Sequence, residues 1–423
     1  MIVTELERCR VCGSPDLLPI LDLGTQVPAG RFPAADEDDP PGVPLELVRC
    51  NDTGDSNTCG LLQLRHSVAP DEMYRHGYGY RSGINRTMRE HLRGIAQHVR
   101  ERVAPDAGDV VLDIGSNNGT LLKGYGIPGL RRIGIDPAGG QFADDYPGDI
   151  DLVCDYFNAS NYASVSPDTP AKAITSIAMF YDLESPLRFV ADIKSILHPN
   201  GIWIMEQSYM PTMLRINAFD TICHEHLEYY ALKQIDRMLE KHGLKILDIE
   251  FNESNGGSFR VSIAHRNSLH TVNHEGINRA LLDEKSAALD TERPYREFAR
   301  RVLDAKDALR DLLNVEQAKG KSIYLYGAST KGNVLLQFFG IDYTSVVAAA
   351  DKNPEKWGRR TPGTRIPIIS EAQARDAQPD YFLVLPWHFR EEFIAREADF
   401  LASGGKFIFP LPELEIVGGG TGC

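Results

Sequence analysis

The amino-acid sequence predicts an α/β protein of several domains. An apolar strand that runs into a glycine turn and a helix occurs at residues 110–122 (VVLDIGSNNGTLL) and again at 322–333 (SIYLYGASTKGN). Such strands are typical of parallel sheets buried on both faces. In addition, four of the seven cysteines fall within the first 65 residues. We therefore expect two Rossmann-like units and a small cysteine-rich N-terminal domain.

The order of these patterns divides the chain into four predicted segments. With 423 residues, 42% hydrophobic and 25% charged, the chain is long enough for two to four domains. The predicted segments are a metal-binding domain at 1–66, a first Rossmann-like unit at 67–266, a helical connector interrupted by Pro294 at 267–320, and a second Rossmann-like unit at 321–423. Period-2 alternation at 244–251 and 258–265 predicts an antiparallel hairpin at the end of the first unit.

The N-terminal cysteines form a predicted metal site. Cys9 and Cys12 have the spacing of a zinc knuckle, in which a tight turn brings two thiolates to one ion. Cys50 and Cys59 are separated by eight residues, so their loop must bulge without breaking ligation. Since four thiolates leave no open coordination position, we expect a structural Zn²⁺. Free thiols are the alternative.

The charge balance argues against two classes of partner. The net charge of −14 gives no basic excess to displace counterions from phosphates, so we expect no general binding to nucleic acid or to an acidic membrane. The sequence has no apolar run near the ~20 residues that cross a bilayer and no signal-peptide pattern at its N-terminus. We expect a cytoplasmic protein that is a monomer or a weak dimer.

The first glycine turn predicts a nucleoside-like cofactor. Asp113 ends the apolar strand, where ligands of open α/β sheets bind, and Gly115 and Gly119 allow close approach of the backbone. The next predicted strand ends at Asp136, an acid about 20 residues after the turn that can bind both hydroxyls of a ribose. Because the turn lacks GxGxxG, it favours a neutral or cationic group over a pyrophosphate. An ordinary βαβ turn without ligand is the alternative.

Residues 219–230 (FDTICHEHLEYY) contain the catalytic candidates, and we call them the catalytic segment. Three acids, two histidines and two tyrosines lie within these twelve residues. A helical end would place His226, Tyr229 and Tyr230 on one face, whereas an extended end would place Glu225 opposite His224 and His226. In either case a histidine beside a carboxylate is available as a general base. A metal site at the two histidines and a hydrogen-bonded core cluster are the alternatives.

The second glycine turn predicts an anion site. The helix after Gly327 offers backbone N–H groups, the hydroxyls of Ser329 and Thr330, and the ammonium of Lys331, which together suit a phosphate or diphosphate. The turn lacks the second and third glycines of the dinucleotide fingerprint, so a phosphate-bearing substrate is favoured over NAD. A solvated lysine beside a packing turn is the alternative.

Motifs along nearly the whole chain resemble the sugar C-methyltransferases, which act on nucleotide-linked deoxy-sugars. The motifs are the cysteine pairs ending in CGLLQL (59–64), YGYRSG (78–83), the first glycine turn, MEQSY (205–209), HEH (224–226) and GASTKGN (327–333). The glycine turn resembles motif I of class I S-adenosylmethionine-dependent methyltransferases. The resemblance implies a class I methyltransferase Rossmann-like domain, a small zinc-binding N-terminal domain, and a second Rossmann-like C-terminal domain that holds the nucleotide of the sugar.

The resemblance also implies roles for individual residues. Those expected at S-adenosylmethionine are Asp113, Gly115, Asn117, Asn118, Gly119, Asp136, Pro137, Asp155, Tyr156 and Phe157. Those expected at the nucleotide-linked sugar are Arg81, Tyr209, Cys223, Ser329, Thr330, Lys331, Asn333, Trp387 and His388. The expected catalytic groups are His226 as base, Glu225 to orient it, His224, Tyr78, Tyr80 and Tyr181.

The chemistry implied is methyl transfer to a ring carbon next to the ketone of a 4-keto-deoxy-sugar, through base-catalysed enolate formation. Two positions near the sugar depart from the family: Cys223 stands where many members have Tyr, and Tyr181 where many have His. The sugar, its nucleotide and the methylated carbon are therefore left open. The alternatives are an NAD-dependent nucleotide-sugar oxidoreductase and, with less support, a zinc-ribbon methyltransferase that binds RNA.

Overall fold

The computed structural model describes residues 2–54, 57–74 and 81–418, whose strands form four sheets flanked by helices. The strands are β1 (Val3–Glu5), β2 (Leu17–Gln26), β3 (Val43–Cys50), β4 (Leu62–Leu64), β5 (His66–Val68), β6 (Val110–Ile114), β7 (Arg131–Ile135), β8 (Ile150–Val153), β9 (Ala171–Ile177), β10 (Leu197–Ser208), β11 (Glu228–Tyr229), β12 (Leu244–Asn252), β13 (Ser258–His265), β14 (Ile323–Tyr326), β15 (Ala349–Asp351), β16 (Ile368–Ser370), β17 (Tyr381–Val384), β18 (Lys406–Phe409) and β19 (Glu415–Gly418). The α-helices are α1 (Pro70–Tyr74), α2 (Arg86–Val103), α3 (Thr120–Lys123), α4 (Ala159–Val165), α5 (Pro186–Ile196), α6 (Met210–Arg215), α7 (Leu232–Lys241), α8 (His274–Ser286), α9 (Arg293–Ala318), α10 (Thr330–Phe339), α11 (Glu371–Asp376), α12 (Arg390–Arg396) and α13 (Ala398–Ala402).

The first Rossmann-like unit contains a seven-stranded sheet of order β12-β13-β10-β9-β6-β7-β8. Strands β6 to β10 pair in parallel, and every residue of β6 is buried, as its continuous apolar run requires. Strands β12 and β13 pair antiparallel at one edge, with β13 against β10. The hairpin predicted from the period-2 pattern is therefore confirmed.

The second Rossmann-like unit contains a six-stranded sheet of order β16-β15-β14-β17-β18-β19, parallel except for β19. Gly327 directly follows β14 and has a φ of +88°, and a Cβ there would lie 2.6 Å from Pro386. Only glycine therefore fits this turn. In the helical connector, Pro294 lies in the first turn of α9, a position that needs no backbone donor.

The N-terminal sheet has the order β11-β4-β3-β2, so its last strand comes from the catalytic segment. Glu228 lies opposite Gln63 and Tyr229 opposite Leu62 in this antiparallel pairing. The predicted segment limits stay predictions. The pairing shows, however, that the sheet of the N-terminal domain includes residues well beyond position 66.

Two hydrophobic cores join the N-terminal domain to the rest of the chain. Leu45 and Leu47 of β3 belong to the core that also contains Phe219 and the apolar residues of the second unit. Cys9 and Cys59 belong to the core of the first unit. The N-terminal domain is thus packed against both Rossmann-like units. Among the described helices, none has the length and apolar character needed to span a membrane.

Candidate active site

The four N-terminal cysteines converge on one point. Their Sγ atoms all lie within 4.8 Å of one another, with Cys9 3.5 Å from Cys59 and Cys12 3.4 Å from Cys50. Thiolates at 2.3 Å from a tetrahedral Zn²⁺ lie about 3.8 Å apart, whereas a disulfide requires about 2.05 Å. The set therefore fits one structural zinc ion, and we call residues 9–64 the zinc module.

Asp113 is buried at the carboxyl end of β6 and bound to the neighbouring strand. Its Oδ1 accepts a hydrogen bond from the hydroxyl of Thr175 on β9 at 2.6 Å. Burial raises the pKa of Asp113 to about 7, although the Thr175 bond opposes this rise. Asp113 therefore fixes two strands beneath the first glycine turn, and its contact with the cofactor stays a prediction.

Asp136 directly follows β7 and binds the backbone of the first glycine turn. Its Oδ2 accepts from the N–H of Asn117 at 2.8 Å, and its Oδ1 from the N–H of Ala138 at 2.7 Å. Each carboxylate oxygen has two lone pairs, so acceptor capacity is left for the two hydroxyls of a ribose. Burial raises the pKa of Asp136, opposed by both backbone bonds. This donor and acceptor set fits the expected cofactor.

The other residues expected at the cofactor lie along the same edge of the sheet. Gly115 and Gly119 both have φ of +69°, as predicted. The amide oxygens of Asn117 and Asn118 accept hydrogen bonds from Ser82 at 3.0 to 3.2 Å, so the segment at 82 lies over the turn. Pro137, Asp155, Tyr156 and Phe157 follow β7 and β8. Since β6, β7 and β8 are adjacent and parallel, their carboxyl ends form one ligand edge.

His226 lies in the turn before β11, with a half-buried ring. Its Nδ1 is 2.7 Å from the carbonyl oxygen of Thr221. A carbonyl only accepts, so Nδ1 carries the hydrogen and Nε2 keeps a lone pair. Burial, and then the charge of Lys331, lowers the pKa of His226 to about 4. The imidazole is therefore neutral near neutral pH, in the tautomer that a base acting through Nε2 requires.

The loop after β9 connects the cofactor turn to His226. A Cβ at Gly115 would lie 3.1 Å from Cγ of Met179, so Met179 covers the turn. Two residues later, the ring of Tyr181 lies 4.3 Å from the His226 ring, centroid to centroid. The carbonyl of Tyr181 also accepts from the N–H of Leu227 at 2.7 Å. The cofactor edge and the candidate base are thus joined by one short loop.

Glu225 and His224 have partners other than His226. The Glu225 carboxyl is buried against Gly30, where a Cβ would lie 2.6 Å from its Oε1. Thr221, and not Glu225 as predicted, is therefore the residue that the structure places against Nδ1 of His226. His224 Nε2 is 3.1 Å from a backbone carbonyl of β3, and burial lowers the pKa of His224 to about 4. The segment begins with a short 3₁₀ helix at Phe219–Thr221 and continues through a turn into β11, so neither the helical nor the fully extended alternative holds throughout.

A buried acidic layer lies behind the candidate base. Burial, and then the carboxyls of Glu225 and Glu228, raise the pKa of Asp182 well above its usual range. Burial, and then the carboxyls of Glu225 and Asp182, also raise the pKa of the Cys223 thiol. The raised pKa of Cys223 disfavours the reactive thiolate form.

Helix α10 brings Lys331 to the catalytic segment. Its Nζ donates to the carbonyl oxygen of Asn255 at 3.1 Å. The charge of Lys331 acts on His226, Asp220 and His388. Burial and this charge lower the pKa of His388 to about 3. The candidate anion site of the second unit and the candidate base of the first therefore lie in one cluster.

Asp220 is a site residue that the sequence-based prediction missed. It is 2% exposed, and its Oδ2 accepts from the indole Nε1 of Trp387 at 2.9 Å. Its Oδ1 has no hydrogen-bond partner among the described residues. Burial raises the pKa of Asp220, and Lys331 opposes that rise. Asp220 directly precedes Thr221, so it connects the second unit to the residue that orients His226.

Several residues expected at the sugar nucleotide make contacts within the protein. These contacts are Arg81 Nη2 to Asp145 at 2.8 Å, the Tyr209 hydroxyl to Glu284 at 2.7 Å, the N–H of Gly332 to Ser329 Oγ at 3.0 Å, and Asn333 Nδ2 to the carbonyl of Ala29 at 2.9 Å. Thr330 is the first residue of α10. The predicted substrate contacts of these residues stay predictions, and Tyr78 and Tyr80 lie outside the described residues.

Comparisons with known proteins agree with this arrangement. Three family models match in chain order: "Putative zinc binding domain" at 9–74, "Methyltransferase domain" at 88–249 and "C-methyltransferase C-terminal domain" at 253–412. The C-methyltransferase NovU of Streptomyces niveus is 32% identical over 420 residues, which is 98% of each chain. This chain belongs to the C-methyltransferase family. The predicted fold class and the prediction of an S-adenosylmethionine-dependent C-methyltransferase with a zinc-binding domain are thereby confirmed.

Two solved structures resemble part of this C-methyltransferase. The magnesium protoporphyrin IX methyltransferase ChlM of Synechocystis PCC 6803 is 11% identical, with 42% of this chain and 79% of that chain covered at a TM-score of 0.32. The amino pentose methyltransferase CalS10 of Micromonospora echinaspora is 14% identical, with 41% and 90% covered at a TM-score of 0.30. The family assignment therefore rests on the full-length relative and the family models.

Replacement of Asp136 tests the cofactor edge of this C-methyltransferase. We expect Asp136→Asn to raise the Kd for S-adenosylhomocysteine about 10- to 100-fold, because a hydrogen bond to a charged group contributes ~1.5–3 kcal/mol. Isothermal titration calorimetry measures this. Asp149→Asn is the matched control, since Asp149 is 70% exposed and pairs with Arg132 at the opposite, amino-terminal ends of β7 and β8. An unchanged Kd in Asp136→Asn would exclude Asp136 from the cofactor site.

Proposed function

We propose that this C-methyltransferase methylates the ring carbon next to the ketone of a nucleotide-linked 4-keto-deoxy-sugar, through an enolate. The observation that supports the proposal is the contact of His226 Nδ1 with the Thr221 carbonyl, which leaves a lone pair on Nε2 of a neutral imidazole. The loop of Met179 and Tyr181 joins it to the cofactor turn. The charge of Lys331, a residue of the predicted anion site, lowers the pKa of His226.

Carbon methylation requires a carbon nucleophile, and the base supplies it. When bound, S-adenosylmethionine offers an electrophilic methyl group. His226 takes the proton from the carbon next to the ketone onto Nε2, and the Thr221 carbonyl stabilises the imidazolium through Nδ1–H. The electron pair left on that carbon, delocalised into the ketone, forms the new bond to the methyl carbon as the bond from that methyl carbon to sulfur breaks.

The second unit binds the phosphate groups of the substrate. Lys331 stands in the first turn of α10, where backbone N–H groups and the helix dipole attract an anion. Trp387 and His388 follow β17 at the same edge of the sheet. Binding a diphosphate beside Lys331 would offset the charge that lowers the pKa of His226, and so strengthen the base when substrate is present.

A methyl-transfer assay with dTDP-, GDP- and CDP-linked 4-keto-deoxy-sugars tests this function. We expect stoichiometric S-adenosylhomocysteine and a new methyl group, located by NMR on a carbon next to the ketone. In D2O with S-adenosylhomocysteine, the same carbon should exchange its hydrogen for deuterium. A methyl group on oxygen or nitrogen would overturn the proposal. A nicotinamide absorbance change with NAD(H) would instead support the oxidoreductase alternative.

Lys331→Met tests the anion site. We expect KM for the nucleotide sugar to rise about 10- to 100-fold through the lost charge-assisted contact. Lys331 disfavours the imidazolium, so its removal raises the pKa of His226. The acid limb of the kcat/KM profile therefore moves from about pH 4 to higher pH.

Lys352→Met is the control for this variant, because Lys352 is 60% exposed and lies near Glu392 on the surface. It should leave KM and the pH profile as they are in the wild type. If Lys331→Met also leaves KM unchanged, the substrate phosphate does not bind at the start of α10.

A further inference from the structure

The catalytic segment is attached to the zinc module by its own strand. β11 is the outer strand of the N-terminal sheet, with Glu228 opposite Gln63. The N–H of Leu64 donates to the carbonyl of Leu227 at 2.9 Å. This pairing begins directly after His226. The backbone next to the candidate base is therefore fixed by the N-terminal sheet, whose strand β3 ends at the zinc ligand Cys50.

The helix that follows the catalytic segment contacts the zinc module as well. In α7, Gln234 Nε2 donates to the carbonyl of the zinc ligand Cys59 at 2.9 Å. Lys233 Nζ donates to Asp52 at 2.6 Å, and Arg237 donates to the carbonyl of residue 58. These three bonds hold the bulged loop between Cys50 and Cys59. The segment that contains His226 is thus attached to the zinc module through both flanking elements.

Arg10 connects the zinc knuckle to the catalytic segment directly. It lies between the ligands Cys9 and Cys12, and its side chain is 2% exposed. Its Nη1 donates to the carbonyl of Leu64 at 2.8 Å, and its Nε lies 3.6 Å from Oε1 of Glu228, whose side chain is fully buried.

A guanidinium keeps its charge when buried, so it needs a counter-charge in its surroundings. Glu228 is the nearest carboxyl, because the other neighbour, Glu184, lies at 3.8 Å and is 41% exposed. Neither carboxylate oxygen of Glu228 has a hydrogen-bond partner among the described residues, so the 3.6 Å contact with Arg10 is an ion pair without a hydrogen bond. Burial raises the pKa of Glu228, and the charge of Arg10 opposes that rise. Arg10 and Glu228 therefore form a buried pair that depends on the knuckle for its geometry.

We propose that the zinc module positions the catalytic segment, and that Arg10 and Glu228 are positioning residues that couple zinc binding to the placement of His226. Such coupling is reciprocal: zinc stabilises the segment, and an intact segment strengthens the binding of zinc. Its meaning for catalysis rests on the proposed base role of His226. The coupling itself does not, and it can be measured without turnover.

The first test uses the wild-type full chain. Zinc is removed with a chelator, and hydrogen exchange is followed in peptides from 219–230 and from 110–136. We expect exchange in the catalytic segment to rise at least about tenfold, while the cofactor edge stays protected and binds S-adenosylhomocysteine within about twofold of the zinc-loaded protein. Unchanged exchange at 219–230, or an equal rise at 110–136, would overturn the proposal.

The second test reads the coupling in the opposite direction. In Glu228→Gln, we expect the Kd for zinc, measured by equilibrium competition with a chromophoric chelator, to be at least about tenfold higher than in the wild type. Glu46→Gln is the control, because Glu46 pairs with Arg65 at 2.7 Å on the same sheet but at a partly exposed position. A wild-type Kd for zinc in Glu228→Gln would overturn the proposal. If the coupling to zinc is observed but a His226 variant keeps full turnover, only the proposed base role of His226 is overturned.

Discussion

Replacement of His226 by asparagine is expected to lower kcat by about 10²- to 10⁴-fold, the usual contribution of a general base. The asparagine amide can still donate to the Thr221 carbonyl, the partner that Nδ1 contacts at 2.7 Å, so the turn should hold its shape. What is lost is the lone pair on Nε2. The methyl-transfer rate and the deuterium exchange of the substrate carbon should therefore fall together.

The same change at His242 is the matched control for His226→Asn. His242 also directs Nδ1 at a backbone carbonyl, that of Met238 at 2.7 Å, but it lies at the end of α7. His242→Asn should keep the wild-type rate. Circular dichroism and calorimetry should show intact folding and S-adenosylhomocysteine binding in both variants. Full turnover in His226→Asn under those conditions would remove His226 from the mechanism.

Substitution of one zinc ligand should produce the largest loss of stability. In zinc-finger peptides, metal binding contributes an apparent ~10–16 kcal/mol to the free energy of folding. We expect the four-thiolate site to stabilise the N-terminal sheet in the same way. We expect about one Zn²⁺ per wild-type chain and far less in Cys50→Ser, by elemental analysis. Cys50 ends β3, so loss of the metal should lower the unfolding temperature of the N-terminal sheet.

Cys154→Ser controls for the effect of removing a thiol, because Cys154 is exposed and lies outside the cluster. It should keep its zinc and its unfolding temperature. Wild-type protein with much less than one Zn²⁺ per chain, and a Cys50→Ser variant as stable as Cys154→Ser, would contradict the four-thiolate site.

Local patterns in the sequence were sufficient for much of the fold. The apolar run before Gly115 predicted β6, the period-2 alternation after residue 244 predicted the edge hairpin, and the turn at Gly327 predicted α10. Each of these signals lies within a dozen neighbouring residues, where side-chain periodicity follows from backbone geometry. Each of the two cysteine pairs is also a local signal, because metal ligands occur in pairs of short spacing.

The contacts that define the candidate site could not be predicted in this way. Asp220 meets Trp387, and Glu225 lies against Gly30, although these residues are distant in sequence. Neither pair follows a periodic pattern or a motif spacing. Glu225 was predicted to orient His226 because the two residues are adjacent in sequence. Adjacent residues in a turn direct their side chains apart, and the Glu225 carboxyl lies beside Gly30 instead. Tertiary packing decided these positions.

The pairing of β4 with β11 also has a consequence for how the chain is made and cut. Translation delivers β2, β3 and β4 long before β11, so a nascent N-terminal domain carries an unpaired sheet edge until residue 229 has emerged. A fragment ending near residue 66 would keep that open edge permanently and would be prone to self-association. A fragment beginning after it would leave β11 without a partner. Cutting the chain near residue 66 would therefore leave an unpaired strand in each fragment.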